Sequence, residues 1–385
     1  MRPPQSSTGR IHSKTGAAIL QTLGAAAHGR GAWPLVFLLG LSLRVATSTF
    51  LPHEIDNDEA AYINLATEWA ETGRFARQGV PETHIAPLLP ALHAALIVRA
   101  GHPEGVGIGL ALLLSALVPV VTGRLFEALA GRYCGVVVGV VLCGYPPLLV
   151  SATQIQPEGL MAVLWGIFLL ACLRERLVLA GIALGLAYLT RPEAILLLPP
   201  WLLFEWLRQR RPPMRVLLAA TACLSLAVPY IVHQSRAEQR FCLSGKDIWV
   251  YANGIAQVQT GNRPVEWAHL DRIRAEIESV PRHIAQDPLR FARDYFIRCA
   301  YELRNLLRQT YFIGLVLAVA GWIAIRRRHP EGAAYLLIPL GVVGLIPIGM
   351  TAYRHTLPIL PLLIGLAVAA GCRNVKRSRR LPPTL

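Results

Sequence analysis

Long apolar segments recur along the whole chain and limit what it can fold into. A helix needs ~20 mostly apolar residues to cross the hydrocarbon core of a bilayer. Of the 385 residues, 54% are hydrophobic and only 16% are charged, whereas soluble domains carry about 25% charged residues. The apolar segments, several of them short, are 31–51, 105–123, 134–152, 159–173, 177–190, 194–207, 214–233, 311–325, 333–351 and 356–371. The sequence therefore predicts an all-α polytopic membrane protein, and the composition excludes disordered chains and disulfide-dense scaffolds.

Basic residues indicate which side of the membrane each loop occupies. The net charge is +15, and lysine and arginine concentrate in short cytoplasmic loops of membrane proteins. If the N-terminus is cytoplasmic, 20 of the 38 lysines and arginines fall on the cytoplasmic side. They are Arg2, Arg10, Lys14, Arg30, Arg124, Arg132, Arg174, Arg176, Arg208, Arg210, Arg211, Arg215, Arg326, Arg327, Arg328, Arg373, Lys376, Arg377, Arg379 and Arg380. A span at 85–98 would put three of these clusters outside, so we expect that segment to lie along the membrane. The charge thus reports topology, and we expect no nucleic-acid partner.

This topology divides the chain into five parts. We expect segment 31–51 to be an uncleaved signal anchor of the cytoplasmic membrane, because Arg44 interrupts it and no small-residue cleavage site follows. The expected parts are a basic cytoplasmic tail (1–30), a catalytic membrane module (31–233) with an external loop (52–104), an external helical region (234–308), C-terminal spans (309–371) and a basic cytoplasmic tail (372–385).

Three acids in four positions open a helix in the first external loop. Asp56, Asp58 and Glu59 precede Tyr62, which begins an amphipathic pattern that runs to Trp69. An N-cap requires only one such acid, so the surplus indicates a function in addition to capping. The helix should lie at headgroup level with its aromatic residues at the interface.

Three further polar motifs follow or precede spans on the same external side. Glu158 and Glu193 each follow a proline, which is an ordinary way to begin a helix. Arg191 is harder to explain, because the charge bias disfavours a cation on this side. Arg354 could either anchor at headgroups or hold a phosphate through bidentate bonds. Carboxylates and arginines at one membrane face suit a substrate with an apolar tail and an anionic headgroup.

The external region 234–308 has no motif that identifies a ligand. An Asp-Pro pair at 287–288 predicts the start of a helix with an apolar periodicity. Cys242 and Cys299 lie in this region, where a disulfide is permitted but not required.

The order and sidedness of these motifs resemble those of GT-C type membrane glycosyltransferases of family 39, which include protein mannosyltransferases and lipid A aminoarabinose transferases. Asp58, Glu59 and Tyr62 resemble that family's first external loop, and the Pro-rich run 84–90 resembles its juxtamembrane helix. The remaining matches are Glu158 at the position of a second external acid, Leu-Thr-Arg-Pro-Glu at 189–193, and Tyr353-Arg354-His355 before the Pro-rich run 357–361. The resemblance covers 33–230 well and 350–371 more loosely.

The resemblance implies a helical bundle that transfers a sugar from a polyprenyl-phosphate donor to a hydroxyl of a glycan, lipid or protein acceptor. It implies an active site at the outer face of the cytoplasmic membrane, and we expect inversion at the sugar. Asp58 would be the general base or a metal ligand, assisted by Glu59 or Asp56, and Glu158 a second acid. The residues expected to bind substrate are Asp56, Tyr62, His84, Arg191, Glu193, Tyr353, Arg354 and His355.

The cofactor expectations are limited to a divalent cation. Asp58 and Glu158 would be the ligands of Mg²⁺ or Mn²⁺. No nucleotide cofactor is expected, because the chain has neither a P-loop nor a Rossmann-type glycine motif.

Two departures from the family pattern affect substrate binding. The lysine that many members carry in the Pro-rich segment is absent, with His84 nearby. We also expect no large C-terminal soluble domain, so the acceptor site would be built from 234–308.

Two other classes of protein remain open from the sequence. The main alternative is a transporter or flippase for a lipid-linked or anionic substrate, which would place acids and arginines near the middle of spans. Only Arg44 interrupts a span in this way. A catalytically silent membrane scaffold would tolerate substitution of Asp58, Arg191 and Arg354.

Overall fold

The computed structural model describes residues 31–51, 53–209, 213–263, 266–348 and 353–372. These residues are almost entirely helical, apart from strands β1 (Ala76–Arg77) and β2 (Val80–Pro81), which pair antiparallel. The helices are α1 (Ala32–Phe50), α2 (Asn57–Thr72), α3 (Leu88–Ala100), α4 (Pro103–Ala130), α5 (Arg132–Cys143), α6 (Pro146–Ser151), α7 (Glu158–Leu173), α8 (Leu177–Tyr188), α9 (Leu198–Gln209), α10 (Pro213–Ala237), α11 (Asp247–Gln259), α12 (Trp267–Ala275), α13 (Val280–Gln286), α14 (Pro288–Gln309), α15 (Ile313–Arg326), α16 (Pro330–Leu345) and α17 (Leu360–Gly371). Short 3₁₀ turns occupy Pro192–Leu197, Ile346–Ile348 and Tyr353–Thr356.

The chain is a multi-pass membrane protein, as its sequence predicts. Four helices are long and apolar enough to cross a bilayer alone, namely α1, α4, α10 and the helix that starts at Pro330. The other apolar helices are shorter, with 10–17 residues. Of the ten apolar segments in the sequence, several are thus short helices in the described residues, as their lengths in the sequence predict. Prolines and glycines are the physical reason, because they interrupt 134–152 between α5 and α6 and make the start of 194–207 a 3₁₀ turn.

Glycines allow the helices of the bundle to pack closely. A Cβ at Gly321 of α15 would lie 1.9 Å from the carbonyl oxygen of Leu366 in α17. A Cβ at Gly181 of α8 would lie 2.2 Å from the carbonyl oxygen of Ala219 in α10. Small residues of this kind let the backbones of membrane helices approach each other.

Arg44, the arginine inside the first span, is fully buried against neighbouring helices. Its Nε donates a hydrogen bond to the Ser115 hydroxyl at 2.7 Å, and its Nη1 donates to the Gly40 carbonyl at 3.0 Å. This arginine therefore serves helix packing, since its partners belong to α1 and α4.

The first external loop is joined to the bundle by hydrogen bonds from its Pro-rich segment. The Leu88 amide donates to the Leu189 carbonyl at 2.8 Å, and the Tyr230 hydroxyl donates to the Ile85 carbonyl at 3.0 Å. Helix α3 has 13 residues, which is too short to cross the bilayer.

Helix α14 is bent away from α15 by 93°. It begins where the sequence predicts, with the Asp287 carboxylate accepting from the Arg290 amide at 3.0 Å. Its buried face is polar and includes Arg298 and Glu302, whereas the apolar Leu289 is 83% exposed. This arrangement suits a helix on the membrane surface, with its apolar face toward lipid. Cys242 and Cys299 are both free.

Candidate functional site

The start of α2 separates the three clustered acids into different roles. Asp56 and Glu59 form a capping box, in which the Glu59 amide donates to Asp56 Oδ1 at 2.8 Å and the Asp56 amide donates to Glu59 Oε2 at 3.2 Å. Glu59 also accepts from His53 and, at 2.6 Å, from the Ile155 amide. Because both of its oxygens are engaged and the residue is fully buried, Glu59 joins α2 to the turn before α7. The expectation that Glu59 assists the reaction therefore changes to a structural role.

Asp58 is the acid of this group that faces the open side of the site. Its carboxylate forms an ion pair with Arg354, with Oδ2 and Nη1 2.5 Å apart. The Asp58 side chain is 53% exposed and that of Arg354 is 35% exposed, so both can be reached by a ligand. The structure thus brings together two residues that the sequence nominated separately.

Glu158 and Arg191 form a second, buried ion pair beside the first. Glu158 begins α7, and Arg191 lies just after the end of α8, where its amide donates to the Ala187 carbonyl. Arg191 also donates to Glu193 Oε1 at 3.3 Å. One oxygen of Glu158 and the Nε of Arg191 are buried and have no hydrogen-bond partner among the described residues. The charges of Glu158 and Arg191 therefore neutralise each other, and one polar atom of each residue has no hydrogen-bond partner among the described residues.

Tyr62 lies between the two ion pairs. Its hydroxyl interacts electrostatically with Glu158, Arg191, Arg354 and Asp58. Burial, followed by the nearby Glu158 carboxylate, raises the pKa of Tyr62 above its ordinary value. The phenol therefore stays protonated at neutral pH and can donate a hydrogen bond.

Lys246 reaches the same place from the external region 234–308, and the sequence did not indicate it. Its ammonium interacts with Asp58, Arg191 and Arg354, and burial is the main reason why its pKa is lowered. The preceding Gly245 packs on Thr83, since a Cβ there would lie 2.6 Å from the Thr83 carbonyl. A tight contact of this kind holds Lys246 against the first external loop. We call Asp58, Tyr62, Glu158, Arg191, Lys246 and Arg354 the polar cluster.

The remaining predicted residues are placed less centrally. Burial lowers the pKa of His84 below its ordinary value, against the opposing effect of the Glu82 carboxylate, so burial disfavours the charged form of the ring. His84 is therefore a poor substitute for the missing lysine of the Pro-rich segment. His355 is half-buried in the 3₁₀ turn beside Arg354. The side chain of Tyr353 lies outside the described part of the structure.

A cavity of about 540 Å³ opens beside the polar cluster. Its polar wall includes Arg354, Gln154 and Gln156. Its lining residues are Asp56, Pro146, Pro147, Val150, Ser151, Gln154, Gln156, Tyr311, Arg354 and Leu357. The cavity therefore combines an apolar wall with one cationic corner.

The described residues do not fit a divalent cation. No group of three or more His, Cys, Asp and Glu side chains is arranged as a metal site in the described ranges. Asp58 and Glu158, the two predicted ligands, are each paired with an arginine. A cation would have to displace these arginines, so we derive no reaction step through a metal.

Comparison with known proteins gives matches in structure only. No protein family model matches the chain, and no curated protein matches its sequence. ArnT from Cupriavidus metallidurans, bound to undecaprenyl phosphate, has a TM-score of 0.63 at 17% identity, over 92% of this chain and 61% of that one. The archaeal oligosaccharyltransferase AglB from Archaeoglobus fulgidus, in complex with an inhibitory peptide and a dolichol-phosphate, has a TM-score of 0.52 at 12% identity. The match covers 92% of this chain and 52% of that one.

A further structure of the Archaeoglobus fulgidus oligosaccharyltransferase, in complex with Zn and sulfate, has a TM-score of 0.53 at 13% identity over 90% of this chain and 49% of that one. This chain therefore spans about half to three fifths of the length of these proteins. At such low identity the likeness concerns the fold. The chain has the fold of the GT-C type membrane glycosyltransferases.

Proposed function

We propose that this protein is a membrane glycosyltransferase that moves a sugar from a polyprenyl-phosphate donor to an acceptor hydroxyl. The observation that carries the proposal is the partly exposed ion pair between Asp58 and Arg354, of which Arg354 lines the 540 Å³ cavity. It places a carboxylate that can accept a proton beside a guanidinium that can bind phosphate.

Two cations, Arg354 and Lys246, are available to the donor phosphate. Arg354 is partly exposed, and the ammonium of Lys246 is close enough to interact with Arg354 and Arg191. Like charges so close together favour binding of an anion, which relieves their repulsion. Lys246 would supply the cation that the Pro-rich segment lacks.

The apolar wall of the cavity suits the lipid part of such a donor. Proline, valine, leucine and tyrosine side chains form this wall next to Arg354. A donor could therefore place its phosphate at the cationic corner and its first isoprene units against the apolar side. Among the structural neighbours, ArnT is bound to undecaprenyl phosphate and AglB to a dolichol-phosphate.

The reaction needs one proton transfer and one displacement. The acceptor hydroxyl gives its proton to Asp58 while its oxygen bonds to the anomeric carbon of the donor sugar. The bond from that carbon to the phosphate oxygen breaks, and its electron pair leaves with the polyprenyl phosphate. Arg354 and Lys246 stabilise the charge that develops on this leaving group. Attack opposite the leaving group inverts the anomeric configuration.

The distribution of charge supports an active site at the outer face of the cytoplasmic membrane. Helix α7 runs from Glu158 in the polar cluster to Arg174 at its other end, and α8 runs from Arg176 back toward Arg191. The arginines at the far ends belong to the set assigned to the cytoplasm. Both termini would then be cytoplasmic.

Incubation of the purified full chain with a panel of undecaprenyl-phosphate sugars tests this function. We expect release of undecaprenyl phosphate from at least one donor when an acceptor is present. If no donor on the panel is consumed but a labelled lipid-linked sugar moves across proteoliposomes, the transporter alternative is the better description.

A further inference from the structure

A second cavity, of about 150 Å³, lies in the external helical region between α11, α13 and α14. None of its lining residues belongs to the cavity beside Arg354. They are Tyr251, Ile255, His283, Gln286, Asp287, Arg290, Phe291, Asp294 and Arg298. Aromatic rings and charged side chains line the cavity together.

Arg298 is the unusual residue in this pocket. It is fully buried, and its Nε donates to the Pro347 carbonyl at 2.6 Å. Its two terminal nitrogens, Nη1 and Nη2, have no hydrogen-bond partner among the described residues. A buried charged donor without a partner is costly. A guanidinium held in this way presents two parallel donors, which is the geometry that binds a carboxylate or a phosphate.

The two acids that line the pocket do not accept hydrogen bonds from the terminal nitrogens of Arg298. Asp294 accepts from Arg293 at 2.8 Å, and Asp287 accepts from the Arg290 amide at the start of α14. Neither carboxylate forms an ion pair with Arg298 in the described structure. Asp294 is close enough to interact electrostatically with Arg298, but it does not bond Nη1 or Nη2, so these two donors are available to a ligand.

Aromatic side chains form the rest of the wall. The Tyr251 hydroxyl lies 3.2 Å from His283 Nδ1, and the two rings are 5.5 Å apart in an edge-to-face arrangement. The Phe291 ring lies 6.4 Å from that of Tyr251 on the other side. Flat apolar faces beside hydrogen-bonding groups suit a sugar ring.

The pocket is connected to the polar cluster through two elements. Helix α11 begins directly after Lys246, and Tyr251 lies five residues later, ~8 Å along the helix axis. Helix α14 carries Arg298 and ends at Gln309, whose side chain accepts from the Thr356 hydroxyl at 2.7 Å. Thr356 belongs to the same 3₁₀ turn as Arg354. A ligand in the pocket is thus held by the elements that position two cations of the cluster.

We propose that this pocket binds the acceptor through an anionic group carried on a sugar, either a carboxylate or a phosphate. Arg298 is the anion-binding residue, and Tyr251 and His283 contact the ring. Binding of the anion depends only on the pocket, whereas its identity as part of an acceptor rests on the proposed transferase function.

The test measures binding to the full chain in lipid nanodiscs, without a donor. The probes are methyl β-D-glucuronide, glucose 6-phosphate and the neutral methyl β-D-glucoside, titrated by calorimetry. We expect one anionic sugar to bind at least about tenfold more tightly than the neutral one, and the preferred probe identifies the anion. Arg298→Lys should remove this preference, while Arg304→Lys, an exposed arginine on the same helix, should keep it.

A second variant controls for a folding defect in Arg298→Lys. Gln286 is exposed at the pocket, so Gln286→Trp should fill the space without disturbing the core and should abolish binding. Equal binding of all three sugars, no binding of any, or binding that neither variant changes would overturn the proposal. An Asp58→Asn protein should bind the anionic probe normally, so a failure of sugar transfer and a failure of this pocket give different results.

Discussion

Arg354 and Asp58 come from opposite ends of the chain and meet in an ion pair with a 2.5 Å separation. In the absence of a donor, the guanidinium engages the carboxylate that we propose as the base. A donor phosphate that binds Arg354 would compete for it and leave Asp58 available to the acceptor hydroxyl. Donor binding and activation of the base would then be linked through one arginine.

Arg354→Lys should weaken donor binding and slow transfer. Lysine keeps the charge but cannot form two parallel hydrogen bonds to a phosphate. We expect kcat/KM for the donor to fall at least about tenfold, measured as release of polyprenyl phosphate. The exposed Arg99→Lys on α3 is the matched control and should behave as wild type. Equal activity in both variants would show that Arg354 does not contact the phosphate.

Lys246→Met should raise the KM for the donor, because it removes a cation from the polar cluster. Lys246→Arg should restore part of the loss, since a positive charge returns to the same position. The measurement is a donor titration at saturating acceptor. If Lys246→Met changes only the KM for the acceptor, Lys246 serves the other substrate and the assignment to the phosphate is wrong.

Removal of one partner of the Glu158–Arg191 pair should destabilise the fold more than removal of both. Glu158→Gln leaves the largely buried Arg191, whose side chain is 15% exposed, without its main counter-charge. Loss of one partner of a buried pair costs about 3–5 kcal/mol. The double variant Glu158→Gln/Arg191→Met should recover much of the lost stability, measured by thermal unfolding. If the stability losses of the two single variants instead add up in the double variant, the interaction between Glu158 and Arg191 contributes little to stability.

Glu302 should make the protein less stable as the pH rises. Burial raises the pKa of its carboxyl from 4.5 to about 7 in the folded state. The folded chain therefore holds a proton that the unfolded chain loses above pH 4.5, and the stability this provides is lost as the pH rises through 7. Glu302→Gln should gain up to roughly 3 kcal/mol at pH 8 and nothing at pH 4. A pH-independent effect in thermal unfolding would contradict this.

The local parts of the structure could be predicted from the sequence because they depend on neighbouring residues. The start of α14 at Asp287-Pro288 is one example, and the helix after Asp56 is another. Helix interruptions were harder to predict. The apolar run 134–152 reads as one span, although Gly144 and two prolines divide it into α5 and α6.

The site could be predicted only in part, since its pairings are long-range. The sequence nominated Asp58 and Arg354, but their contact depends on the tertiary fold. Glu59 was expected beside Asp58 in the reaction, yet the period of the helix turns it inward to cap α2 and bind the Ile155 amide. Lys246 follows no motif, and tertiary contacts such as the packing of Gly245 on Thr83 hold it at the polar cluster.

The most direct test of the proposed function is the Asp58→Asn variant, assayed for sugar transfer at wild-type abundance in the membrane. Asparagine keeps the size of the side chain but cannot accept the proton, and a general base typically contributes about 10²- to 10⁴-fold. We expect a loss of at least about a hundredfold in kcat, whereas Glu71→Gln, an exposed acid on the same helix, should retain full activity. Wild-type transfer by Asp58→Asn would contradict the central role of Asp58.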